Sequence, residues 1–113
     1  MQPLAVTRLA EQVQTLAAAG QTPQLLDVRE PWEIATASLT LPGARLLSIP
    51  MQQIPGRLAE IDPDQPVLAL CHHGMRSMQC VAWLQRHGHQ HVYNIAGGID
   101  AYARLVDSSV PLY

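Results

Sequence analysis

The chain has 113 residues, 48% of them hydrophobic, which fits one folding unit over residues 1–113 with a single core. A formal net charge of -2, with 14% charged residues and no run of Lys or Arg, offers no electrostatic footprint for nucleic acid or an anionic membrane. No apolar run approaches the roughly 18 residues of a spanning helix, and MQPLAVTRLAEQ has no basic region leading into an apolar signal core, so the expected location is cytoplasmic.

In chain order, PLAV reads as a short first strand, and Thr7 as the cap of a helix whose Leu9, Val13, Leu16 and Ala17 recur at helical spacing until Gly20. QLLDV (24–28) is a strand, and Pro31 suits the first turn of a helix running to about Ala35. LPGARLLSIP holds a turn at Pro42 and Gly43, then a strand near 44–49, after which Ile54, Leu58 and Ile61 mark another helical face. VLAL (67–70) is a fully apolar strand, followed by a helix from about Ser77 to Arg86. HVYNI (91–95) is the last strand, and Gly97 and Gly98 precede a terminal helix through about Leu105. Strands alternating with helices over short links imply an α/β fold: a mainly parallel sheet of about five strands with helices on both faces.

Chemistry concentrates after the fourth of these strands, in LALCHHGMRSMQC. Crevices in open parallel sheets form beyond the carboxyl ends of the strands, and Cys71 stands at such an end. The amides of the loop and the positive end of the next helix can gather round a sulfur atom carrying negative charge. Gly74 allows the tight curl this needs, and Arg76 adds a permanent forked cation able to grip a sulfonate. Cys80 lies among Val81, Ala82, Trp83 and Leu84 and reads as core. With two cysteines there is no disulfide framework, and a reducing compartment keeps both as thiols.

LLDVREPWE, LPGA, CHHGMRS and NIAGGIDAY, in that order, resemble the single-domain rhodaneses, a family of sulfurtransferases. The resemblance implies a three-layer rhodanese-like fold. It also implies that Cys71 takes a sulfane sulfur from a donor such as thiosulfate, becomes a persulfide, and passes the outer sulfur to cyanide or a thiol. It makes His72, His73, Gly74, Met75 and Arg76 the cradle of that sulfur, with Ser77 beside them. It places Asp27 near the loop as a support and puts Arg29 in a buried ion pair, with Glu33 as the suggested partner. No metal or organic cofactor is required, and partners are the small-molecule donor and acceptor or a sulfur-relay protein. Where the family commonly has a histidine before LPGA, this chain has Thr40.

Other readings are weaker. His87, His89 and His91 in HGHQH match no recognised zinc spacing and read as a polar connection with Gly88 as its cap, while Asn94, Gly97 and Gly98 read as turn chemistry. Cysteine phosphatases also set a thiolate and an arginine between strand and helix, but over a longer loop than the four residues His72 to Met75. Rhodanese-like domains that serve as binding modules usually lack the loop cysteine, which this chain keeps.

Overall fold

A computed structural model describes residues 2–113 of the protein. Its five strands are β1 (Gln2–Ala5), β2 (Gln24–Asp27), β3 (Arg45–Ser48), β4 (Val67–Leu70) and β5 (Val92–Ala96). They form one sheet in the order β1-β5-β4-β2-β3, every neighbouring pair parallel. The helices are α1 (Leu9–Ala18), α2 (Pro31–Thr36), α3 (Met75–Arg86) and α4 (Gly98–Leu105). Each parallel neighbour demands a crossover, and these helices and the turns beside them supply it.

Side chains of a strand alternate between the faces of the sheet, so the core divides in two. Leu25, Leu68, Leu70 and Ile95 meet Leu9 and Val13 of α1 and Ile99 of α4 on one face. Leu26, Val67, Ala69 and Val92 meet Val81 and Leu84 of α3, with Ile54 and Ile61, on the other. The α/β layering with helices on both faces is therefore present as the sequence predicts. Among the described residues no helix is long and apolar enough to cross a membrane.

Local corrections follow from backbone chemistry. Thr7 does not cap a helix: it lies inside a 3-10 turn over Val6–Arg8, and α1 starts at Leu9 with no side-chain cap. Where the spacing of Ile54, Leu58 and Ile61 predicts one helical face, the chain forms two 3-10 segments, Met51–Gln53 and Pro55–Glu60, with Ile54 and Ile61 at their ends. Pro55 has no N–H to continue a helix from Met51, and Arg57 (φ -121°, ψ 19°) breaks the second segment. Helix α3 begins at Met75 rather than near Ser77, because Gly74 takes the left-handed conformation (φ 100°) and turns the chain straight into it. Thr40 is exposed in the connection to β3, between buried Leu39 and Leu41.

Candidate active site

Parallel register brings the carboxyl ends of β2 and β4 together, with Asp27 opposite Leu70 and the Val28 amide donating to the Leu70 carbonyl at 3.0 Å. Cys71 thus emerges beside the segment Asp27-Val28-Arg29. It is 1% exposed. The Gly74 amide donates to Cys71 Sγ at 3.0 Å, and Ser77 Oγ lies 3.3 Å from the same sulfur.

Asn94, in β5 rather than in a turn, holds this loop from beneath. Its Nδ2 donates to the Gly74 carbonyl at 3.1 Å, which leaves Oδ1 to accept the Ser77 hydroxyl proton at 2.5 Å. The Ser77 hydroxyl has one proton, and the Gly74 carbonyl at 3.3 Å is a second acceptor within its reach. The start of α4 braces the other side. The Ile99 amide donates to the Cys71 carbonyl at 2.9 Å and the Asp100 amide to that of His72 at 3.1 Å. Gly98 (φ 63°) permits this approach, since a Cβ there would run into the carbonyl oxygens of Cys71 and His72. Gly98 is thus a packing requirement of the loop, and the turn reading of Asn94 and Gly98 is corrected accordingly.

The charged residues pair differently from the sequence reading. Arg29, fully buried, donates from Nε and Nη2 to the two carboxylate oxygens of Asp27 at 2.9 and 2.7 Å, and meets Glu33 only at its backbone carbonyl, 3.3 Å away. The Glu33 carboxylate belongs to Arg76, whose Nη1 and Nη2 reach its two oxygens at 2.8 and 2.7 Å. The guanidinium that the sequence aims at a sulfonate is therefore half of a bidentate pair. Glu33 also accepts from the Glu30 amide at 2.9 Å and the Tyr113 hydroxyl at 2.9 Å. Its bonds to Arg76, above all, push its pKa down to about 2. Tyr113 joins the two pairs, because its hydroxyl accepts from Arg29 Nη1 at 3.1 Å.

Against this geometry stands a plain sequence result: the family profile described as Rhodanese-like domain matches residues 9–105. The chain belongs to the rhodanese-like family. It is 46% identical over 94 residues to the chloroplastic rhodanese-like/PpiC domain-containing protein 12 of Arabidopsis thaliana, covering 80% of this chain but only 30% of that protein. It is 44% identical over 80 residues to a protein of Allochromatium vinosum named sulfurtransferase, covering 71% of each. Among solved structures, a rhodanese-like domain protein from Staphylococcus aureus superposes with a TM-score of 0.73 at 26% identity, covering 100% of this chain and 99% of the other.

Within this rhodanese-like domain the loop histidines have distinct surroundings. His72 stacks on Tyr113 (centroids 3.9 Å apart, planes at 6°), and burial, helped by the neighbouring His73, lowers its pKa. His72, His73 and Asp100 each offer a ligand atom within 4.8 Å of the others, so together they could approach a metal ion. Two features oppose that use. The His72 ring is held flat against Tyr113, with the His73 ring tilted 30° to it at 3.9 Å, and Asp100 Oδ2 already accepts from Arg104 at 3.0 Å. His87, His89 and His91 do not converge: His87 stacks on Trp83, His89 is buried and His91 is exposed. Cys80 is buried on the α3 face of the sheet, and that burial pushes its thiol up to about 11.

Sequence reasoning missed Tyr113 and gave Asn94 and Glu33 the wrong parts. A signal existed for two of them. Asn94 is a polar residue at a core-facing position of a strand, and Glu33 is the far half of a Glu30/Glu33 capping box. Tyr113 carries no local signal, since the arginine it meets is 84 residues away in sequence.

Proposed function

We propose that this domain is a sulfurtransferase that moves a sulfane sulfur from a donor such as thiosulfate to cyanide or a thiol through a persulfide on Cys71. The observation that carries the reading is the sulfur of Cys71 at the carboxyl end of β4, with the Gly74 N–H aimed at it from 3.0 Å. Relatives named sulfurtransferase support it.

In the first half-reaction the Cys71 thiolate attacks the outer sulfur of the donor. A Cys71 S–S bond forms, the donor's bond to that sulfur breaks, and its electron pair leaves with the donor residue, as sulfite when the donor is thiosulfate. In the second, cyanide or a thiolate attacks the outer sulfur and the Cys71 thiolate departs. No net oxidant or reductant is consumed. The loop stabilises negative charge on the attacking and leaving sulfur by a fixed N–H dipole that needs no reorganisation.

Intact mass tests the reading. After incubation with excess thiosulfate the protein gains the mass of one sulfur atom, and cyanide removes it with release of thiocyanate. Cys71→Ser abolishes both steps and Cys80→Ser retains them, in keeping with its buried thiol. Full loading of Cys71→Ser would place the nucleophile elsewhere and end the proposal.

A further inference from the structure

We propose that Glu33 determines the donor class of this site: by neutralising Arg76 it turns the loop away from dianionic thiosulfate and toward hydropersulfides (R–S–SH) whose carrier group bears no charge. This rests on the reading of Cys71 as the persulfide carrier, and it identifies a residue that tunes the donor without touching the reacting sulfur. Among the described residues, no guanidinium beside the Cys71 loop is left unpaired. Both guanidiniums built into the site are spoken for, Arg29 by Asp27 and Arg76 by Glu33, each through two short hydrogen bonds. The sequence contains no lysine that could take their place. The nearby Arg104 is bonded to Asp100. A bidentate arginine–carboxylate pair directs its fork at its partner and presents little net charge to an arriving dianion.

The surroundings of the pair point the same way. Trp32 precedes Glu33 and is 63% exposed; Met75 precedes Arg76 and is 66% exposed. Two exposed apolar residues thus stand next in sequence to the two bonded ones, and Trp32 meets Tyr113 edge-on at 5.9 Å, next to the His72 stack. An uncharged carrier group can rest on such a surface, whereas a sulfonate would lose water there for no ionic return. The transfer balances as before. The Cys71 thiolate attacks the outer sulfur of R–S–SH, the Cys71 S–S bond forms, the donor S–S bond breaks, and R–S⁻ leaves with the electron pair.

The test compares two donors, thiosulfate and the hydropersulfide of 2-mercaptoethanol, in the natural protein and in Glu33→Gln. Freeing the Arg76 charge raises kcat/KM for thiosulfate relative to the hydropersulfide by about tenfold, the scale of one charge-assisted contact to an anion. A folded Glu33→Gln protein with an unchanged donor ratio overturns the proposal, since a merely structural Glu33 would affect both donors alike. A second measurement needs no variant. Sulfate at about 10 mM, enough to fill even a millimolar site, leaves the rate of Cys71 alkylation by iodoacetamide unchanged at matched ionic strength. Protection of Cys71 by sulfate in the natural protein would show a free anion site and would equally overturn the proposal. If neither donor adds sulfur to Cys71, the reading of the nucleophile fails instead, and intact mass distinguishes that outcome.

Discussion

Gly98 shows how much one missing carbon can matter to a reactive loop. Its left-handed backbone lets the start of α4 press against the carbonyl oxygens of Cys71 and His72, and the amides of Ile99 and Asp100 bond those same oxygens. Gly98→Ala adds both a backbone strain and a collision with main-chain atoms that cannot swing aside. We expect a loss of about 2–3 kcal/mol in a denaturant titration, together with slower sulfur loading of Cys71, because the carbonyls that must move belong to the loop itself. Unchanged stability would mean that the approach of α4 is looser than the geometry shows.

Helix α3 contributes to the site at its first turn and to the core along its length. Its opening residues place Arg76 and Ser77 at the loop, while Val81 and Leu84 anchor the helix on the sheet. Leu84 is fully buried, so Leu84→Ala should destabilise the protein by about 2–5 kcal/mol in the same titration. Leu46, in the edge strand β3, is half-exposed, and Leu46→Ala should stay within about 0.5 kcal/mol of the natural protein. Equal losses would contradict the layering, in which a leucine's contribution depends on the face it occupies.

Across the whole molecule, Glu33 links segments far apart in the chain: α2 to α3 through Arg76, and both to Tyr113. Its pKa lies at about 2 in the folded protein, against an ordinary value of 4.5. A depressed carboxylate stabilises the fold fully above the unfolded value, and that stabilisation fades as pH falls toward the folded one. Stability should therefore decline between about pH 4.5 and 2, and Glu33→Gln should flatten the decline while lowering stability near neutrality. Glu60, Asp100 and Asp107 are also held low, but their partners Arg57, Arg104 and Ser109 lie at the surface, where solvent screens such contacts, so they add little to this slope. An acid titration of chemical stability in the two proteins checks it; an equally steep decline in Glu33→Gln would assign the acid sensitivity to other groups.

Much of this protein is already determined by its sequence. Short apolar runs such as VLAL read as buried strands, their alternation with helical spacing implies parallel pairing with crossovers, and a cysteine at the carboxyl end of such a strand falls where crevices form. Those conclusions rest on local pattern, and the structure bears out the sheet and its two covered faces. Local pattern misled where backbone chemistry overruled spacing, as at Pro55, which cannot extend a helix whatever the periodicity of Ile54, Leu58 and Ile61. Only the tertiary structure decided which charges pair. Asp27, Arg29, Glu33, Arg76 and Tyr113 come from β2, the turn after it, α2, α3 and the C-terminal segment, and two arginines with two carboxylates admit more than one pairing until distances choose. Asn94 and Gly98 likewise acquire their parts only when β5 and α4 are folded against the loop, because a hydrogen bond and a steric limit depend on ångström-scale approach, which sequence spacing does not encode.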